Sequence, residues 1–513
     1  MGDGPVTRRQ DSPVVAHDSW KLVKEHAARA QGLIVSAFPD LHHGEALFLQ
    51  LPTRAGGAWL KALLEEVKVT DSRGRTTPSV ALALTWTGLA AMGLDDVTLN
   101  TFAPAFIEGM RQIDRQRRLG DEVSDHVVND TVIEGGPIWS GNAPERFHLP
   151  QEPDAKPTPI TVHVALFLYE LKLSKLAELK AKVVGVLAGH HVAIVRSIGL
   201  TLEKDQTGNY REHFGFVDGI SQPVPYGPTI EPNERDPRHG VAAGDFLIGH
   251  ENTDGDPAPG PIVSDEKLHA AALGQWQAPN GWCDLGMDGA YLVIRELRQE
   301  VRAFWDSMKA AASALGGGYN PQDVAARVVG RTLDGDPLVP KDDHYPDGVI
   351  PPTGAHQAND FGYFSNDQLG LGCPRGAHMR RANPRDGLAP NPGDADAFLT
   401  ASNNHRILRR GRKFGPPYAE NEPPGTERGL LFMAVNTDIT RQFEFVQQTW
   451  VFNKSFAELF DETDPLVGPR GLFTIPEQPV RARVDVDTFV RLVGGDYFFL
   501  PSLPAIDYLA TLP

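Results

Sequence analysis

The chain has 513 residues, 41% hydrophobic and 22% charged, which allows a substantial apolar core in an ordinary globular protein. Lys and Arg number 49 against 66 Asp and Glu, a formal charge of −17. That balance argues against a general nucleic-acid binder, which needs a basic face to displace counterions, and against docking on an anionic membrane. Two cysteines, Cys283 and Cys373, exclude a disulfide framework, and no CxxC spacing supports a four-thiolate metal site.

Residues 1–27 read as a polar lead-in. Arg8-Arg9 echoes an export signal, but Gln10, Asp11, Ser12, His17 and Asp18 interrupt any apolar stretch behind it. No run of about 18 apolar residues occurs, so no membrane span is expected and the cytoplasm is the expected compartment. Residues 32–35 and 46–51 are predicted as strands, 58–67 as a helix carrying Trp59, Leu60, Leu63, Leu64 and Val67, and 81–92 as a second helix stopped by Gly93. A strand at 160–168, an amphipathic helix at 169–188 and a strand at 191–195 follow. Residues 223–262, rich in Pro, Gly, Asp and Asn, read as a long connection, after which the vocabulary repeats. A strand at 291–294 leads to a helix through Val301, Phe304, Trp305 and Met308, and a strand at 429–435 leads to a helix through Phe443, Val446 and Trp450. A second loop-rich stretch covers 316–370. The expected class is α+β with two similar halves, 28–222 and 223–513, and no fixed-period repeat.

Three segments carry chemistry. Gly215-Phe216-Val217-Asp218-Gly219-Ile220-Ser221-Gln222-Pro223 sets an acid between glycines and apolar neighbours; taken alone, an Asp-Gly turn accounts for it. Cys373-Pro374-Arg375-Gly376-Ala377-His378-Met379-Arg380-Arg381-Ala382-Asn383-Pro384-Arg385 places a histidine among arginines, which suits a metal-bearing group with carboxylates, or a basic surface loop. His405-Arg406-Ile407-Leu408-Arg409-Arg410-Gly411-Arg412-Lys413 is unusually basic for an acidic chain, or simply a solvated strand end.

In order and wording these three segments resemble the dye-decolourising (DyP-type) haem peroxidases, in particular their larger cytoplasmic bacterial branch. Gln31-Gly32-Leu33-Ile34, Leu119-Gly120-Asp121, Gly330-Arg331 and Gln442-Phe443-Glu444-Phe445-Val446-Gln447 extend the likeness over roughly residues 28–475. The resemblance implies two ferredoxin-like α+β halves with antiparallel sheets and one haem b in the C-terminal half. It implies His378 as the iron ligand, Asp218 and Arg409 as catalytic groups on the peroxide side, and Arg380 as a partner of a haem carboxylate. Phe432 and Phe445 are candidate pocket walls, and Asp464 the carboxylate behind His378, with Asp438 its rival. Asp218 would move a proton between the peroxide oxygens while the permanently charged Arg409 stabilises developing negative charge.

The implied activity is reduction of hydrogen peroxide with one-electron oxidation of bulky aromatics such as dyes and phenols. Two alternatives stand beside it: a non-catalytic haem carrier or sensor on the same scaffold, and a metal-free protein in which His378 is structural. The acidic residues Asp334, Asp336, Asp342 and Asp343 offer oxygen donors for Mn²⁺ or Ca²⁺, although a solvated loop is the simpler account. The physiological reductant, the oligomeric state and any surface Trp or Tyr in electron transfer stay open.

Overall fold

Long apolar runs with alternating faces organise the molecule around one large sheet. The computed structural model describes residues 21–74, 77–121, 125–128, 131–134, 137–141, 160–227, 240–339, 358–423, 425–477 and 481–513. Two short helices, α1 (Lys24–Arg29) and α2 (Gly32–Val35), precede the first strand. The sheet has eleven strands: β1 (His43–Gln50), β2 (Ser79–Leu84), β3 (Trp139–Ser140), β4 (Ile160–Thr161), β5 (Val164–Glu170), β6 (Ala193–Thr201), β7 (Ala290–Gln299), β8 (Leu408–Arg409), β9 (Arg412–Phe414), β10 (Gly429–Asn436) and β11 (Val490–Leu500).

The strand path runs β7-β10-β9-β6-β1-β5-β2-β11, and β7 also pairs β11, so these eight strands close on themselves. Within residues 43–201 the spatial order β6-β1-β5-β2 is antiparallel throughout. Within residues 290–500 the order β9-β10-β7-β11 is antiparallel too. The two groups meet at narrow seams, one residue pair between β2 and β11 and two between β6 and β9. Closure leaves these strands without free edges, the liability of an open antiparallel sheet.

Side-chain parity sorts the core. Leu47, Leu82, Leu166, Val293 and Phe499 belong to a cluster with Trp59, Leu60 and Leu63 of α3 (Ala58–Glu66), on the helix-covered face. Phe48, Ala83, Phe167, Leu292 and Phe498 belong to a second cluster, which joins both groups of strands inside the ring. A helix of residues Leu173–Gly189, α5, presents Leu176, Leu179, Val183 and Leu187 to the core at the spacing of one helical face. Two further helices, α6 (Val301–Leu315) and α7 (Pro321–Val329), pack on each other; α7 opens with an Asn320–Asp323 capping box and closes on Gly330 in the left-handed region at φ 99°. No helix among the described residues is long and apolar enough to cross a membrane.

Two expected elements change type. Residues 32–35 form a single helical turn rather than a strand. The Gln31 side chain takes over strand-like bonding there, accepting from Leu82 N at 2.9 Å and donating to the carbonyls of Leu82 and Pro501 at 2.8 Å each. The run expected as one helix at 81–92 divides into the end of β2 and α4 (Trp86–Ala91), with the Thr85 hydroxyl capping Gly88 N. Every residue of β2 is buried, so both faces are apolar and the strand period is invisible in the sequence. Residues 440–451, expected as a helix, are wound mostly in π-helical turns.

Candidate active site

A cavity of about 350 Å³ opens on the helix-covered face of the β7-β10-β11 group. Arg295, Leu297 and Gln299 of β7, Phe432 of β10 and Leu492 of β11 form its floor. Phe443, Val446 and Val451 wall one side, and the 214–221 loop with Arg409 another.

His378 begins the short helix α8 (His378–Ala382) and lines this cavity. Its Nδ1 lies 2.9 Å from Oδ2 of Asp464, a fully buried carboxylate. The other oxygen, Oδ1, accepts from Leu466 N at 2.9 Å and Val467 N at 3.0 Å. Burial pushes the Asp464 carboxyl up, but the charge and hydrogen bond of His378, the backbone amide and Arg381 outweigh it, so the group stays below the ordinary carboxylate range. An ionised Asp464 requires the proton on Nδ1, which leaves the Nε2 lone pair free for a metal. Asp438 does not share this role: it accepts from Arg441 N at 2.9 Å.

Across the segment from Gly215 to Gln222, Asp218 and Arg409 come together. Arg409 Nη1 is 3.5 Å from Asp218 Oδ1, and Arg409 Nη2 donates to the Ser221 carbonyl at 3.1 Å. Gln222 Oε1 accepts from Arg409 N at 3.1 Å, which ties the loop to β8. Gly215 and Gly219 adopt φ of 104° and 81°, conformations a side chain disfavours, so the glycines flanking Asp218 set the path of the loop. Asp218 and Arg409 side chains keep about a third of their surface, and both line the cavity.

Three further arginines converge there: Arg331, Arg385 and Arg406. Arg331 donates to the carbonyls of Gly335 and Ala358 and to Asn359 Oδ1, and the Arg406 guanidinium reaches Asn403 Oδ1 at 3.5 Å. Burial, then the charges of Arg385 and Arg409, push Arg406 down to about 9; burial and Arg385 push Arg331 to about 10. Crowded, desolvated guanidiniums of this kind suit an anion with several carboxylate oxygens. Arg295 Nη1, Gln299 Oε1 and Asn383 Oδ1 line the same cavity, buried and without a hydrogen-bond partner among the described residues.

Arg380 departs from its expected place at a bound carboxylate. It is buried away from the cavity, where its Nη1 donates to Asp367 O at 3.0 Å and Cys373 O at 2.9 Å and its plane lies 4.6 Å from the Tyr363 ring centre. Its neighbour Arg381 points elsewhere again, to the carbonyls of Trp450, Asn453 and Glu462. Both hold the loops that present His378. Phe432 lines the cavity as expected, whereas Phe445 turns outward and stacks on His405 with ring centres 3.7 Å apart. In the π-wound segment the cavity is lined by Phe443, Val446, Gln447 and Val451, and Phe445 is not among them. Of the basic 405–413 run, Arg406 and Arg409 reach the cavity, while Arg410 and Arg412 cap the carbonyls of Leu33, Ile34, Ala37, Phe38 and Leu41. Asp334 is exposed and pairs with Arg211 at 2.9 Å; Asp342 and Asp343 lie outside the described residues.

Glu212 was not singled out from the sequence, because a glutamate six residues before Asp218 belongs to no obvious pattern. It lines the cavity and accepts from Phe214 N and Phe216 N at 2.8 Å and from Gln299 Nε2 at 2.7 Å. Burial outweighs these bonds, and the nearby Asp218 charge adds to it, so the carboxyl is pushed up to about 7.

No protein-family model matches the chain. A multifunctional dye peroxidase from an Amycolatopsis species is 31% identical over 365 residues, which are 67% of this chain and 70% of that protein. A dye-decolorizing peroxidase from Mycena epipterygia is 27% identical over 492 residues, 87% of this chain and 78% of that one. The chain belongs to the dye-decolorizing peroxidase family. Solved folds agree: the DyP-type peroxidase of an Anabaena species superposes with a TM-score of 0.71 over 98% of this chain and 100% of that one, at 21% identity. A dye-decolorizing peroxidase solved with 2,6-dimethoxyphenol gives 0.67 over 94% of this chain and 98% of that one, at 22% identity. The chain is thus a dye-decolorizing peroxidase of mixed α+β fold with a sheet dominated by antiparallel pairs.

Proposed function

We propose that the cavity holds one haem b per chain, with His378 as iron ligand, Asp464 as its supporting carboxylate, and Asp218 and Arg409 as the pair that handles peroxide. One observation carries this reading: a histidine whose Nδ1 proton is held by a buried carboxylate lines the same cavity as a paired aspartate and arginine. The donor set fits the group. An imidazole nitrogen is available for iron, the apolar walls suit a porphyrin, and Arg331, Arg385 and Arg406 suit its two carboxylates.

Haem held by His378 would supply a redox centre for the two-electron reduction of peroxide and the one-electron oxidation of reductants. The protein's part is acid–base and electrostatic work. Asp218 takes the proton of one peroxide oxygen and returns it to the other, which departs as water. Arg409, held by Ser221 O and the Gln222 side chain, places a permanent positive charge where negative charge develops. Phe214, Phe216, Phe432 and Phe443 keep water from the remaining walls. The proposed reductants are bulky aromatics, dyes and phenols, in line with the phenol complex of the structural relative.

The same reading divides the chain into a lead-in, 1–27, and two ferredoxin-like halves, 28–222 and 223–513, with haem in the second. Support comes from the strand orders: numbered within its own group, each reads 4-1-3-2 from one edge or the other.

The test is an absorption spectrum of protein produced with haem available, before and after hydrogen peroxide. A Soret band that changes with peroxide and returns on adding a phenol is expected. A Soret band indifferent to peroxide would leave the carrier or sensor, and a folded protein with no Soret band would overturn the assignment of His378.

A further inference from the structure

Away from the haem cavity, three residues distant in sequence converge on one point. His26 Nδ1 lies 2.8 Å from Asp288 Oδ1, and His250 Nε2 lies 2.7 Å from the same oxygen. All three donor atoms fall within 4.8 Å of one another, the one such His/Cys/Asp/Glu group among the described residues. We propose that His26, His250 and Asp288 form a zinc site that fastens α1 to the turn preceding β7.

Donor chemistry selects the ion. Two imidazole nitrogens and one carboxylate oxygen suit a borderline-soft, tetrahedral divalent ion, whereas Ca²⁺ and Mg²⁺ require mostly oxygen donors in larger number. Bonds of roughly 2.0–2.1 Å at tetrahedral angles put donor atoms about 3.3 Å apart. The two observed separations are shorter by about half an ångström, so small side-chain rotations exchange two hydrogen bonds for three coordinate bonds to the ion. Water completes the set, since the imidazoles of His26 and His250 retain 15% and 12% of their surface.

The surroundings support the ligands. Asp288 is fully buried, and its second oxygen accepts from Arg29 Nε at 2.5 Å, which aims Oδ1 at the histidines. Arg29 is itself held over the Trp276 ring, 5.3 Å from its centre, and Trp276 also packs on the His26 ring at 5.3 Å. Asp288 adopts a φ of 62°, left-handed for a non-glycine residue, with its amide bonded to Ile248 O. The position is therefore held by the turn and not by local preference. His26 stands on α1, His250 follows the Ala243–Asp245 turn, and Asp288 precedes β7, so an ion here closes a loop of 262 residues between His26 and Asp288.

The test uses full-length, haem-loaded protein without a metal-binding tag, stripped with a chelator and dialysed against about 10 µM zinc. Zinc and iron are counted per chain by mass spectrometry. About one zinc per chain is expected, with a raised Tm, and no comparable uptake of Ca²⁺ or Mg²⁺. His26→Ala and His250→Gln should each lower zinc affinity at least tenfold while leaving the Soret band and peroxide turnover unchanged; glutamine preserves a donor to Asp288 if alanine disturbs folding. Wild-type protein that takes up no zinc, or a His250→Gln variant that binds it as tightly as wild type, overturns the proposal.

Discussion

Replacing Asp464 by asparagine tests the hydrogen bond on which the His378 assignment depends. The carboxylate makes three bonds: Oδ1 accepts from Leu466 N and Val467 N, and Oδ2 from His378 Nδ1. An asparagine has one acceptor and one donor end, so it cannot serve both sides. If its amide NH₂ faces the two backbone N–H groups, two hydrogen bonds of about 1 kcal/mol each are lost and two buried donors are left unpaired. If its oxygen stays on those amides, the NH₂ faces Nδ1, and His378 must move its proton to Nε2. The second arrangement retains more bonds and therefore prevails. It removes the lone pair that iron needs, so haem affinity should fall about 10- to 100-fold, the usual cost of losing a partner behind a metal-bound histidine. Removing the buried charge also leaves Arg381 less compensated, so the haem-free protein should lose stability. Haem titration followed by the Soret band, with circular dichroism as the folding control, measures the effect. A folded Asp464→Asn protein with wild-type haem affinity and an unchanged reduction potential would refute the reasoning.

Other outcomes follow from the same site. His378→Ala should abolish stable haem binding, read as loss of the Soret band in a protein that still folds. Arg409→Leu should keep haem and lower kcat/KM for peroxide by about 10²–10³, the typical cost of one charge-stabilising donor; Asp218→Asn should lower it by about 10²–10⁴ through loss of proton transfer. Glu212 gives a pH signature. Its carboxyl rises from an ordinary 4.5 to about 7 in the folded state, so its contribution to stability is complete below pH 4.5 and lost as pH rises through 7. Haem-free Glu212→Gln, compared with wild type by denaturant unfolding between pH 4.5 and 8, should show a shallower decline in stability with pH; parallel curves would contradict the burial of this group.

His378, Asp218 and Arg409 could be singled out as candidates because their three segments resemble, in order and wording, those of the family. An acid between glycines, a histidine among arginines and a basic strand end each have an ordinary account alone, and their order along the chain removes it. Asp464 was not legible in that way: it came only from the family resemblance, with Asp438 as its rival, and only the fold sets it 2.9 Å from His378. The strands expected at 291–294 and 429–435 were legible too, because their apolar runs exceed what a loop tolerates, although the first continues through Arg295, Glu296 and Arg298 to Gln299.

What the sequence by itself determined, then, is the chemistry available to this protein and the α+β alternation that carries it. Tertiary structure alone decided which like residue does what. Arg380, Arg381 and Arg385 stand within six positions of one another, yet they face Asp367, the 450–462 carbonyls and the cavity: successive residues of α8 point Arg380 and Arg381 to different sides, and Arg385 lies beyond the helix end in a left-handed turn at φ 52°. Phe443 and Phe445 are equivalent as letters; two residues apart on a helix they face opposite ways, and only the docking of that helix decides that Phe443 is the one turned inward. Glu212 acquires its shifted carboxyl from burial, and His26, His250 and Asp288 meet only when strands far apart in the chain close into one sheet. Composition and local spacing set what groups are present; orientation, desolvation and long-range proximity are properties of packing, which no short stretch of sequence contains.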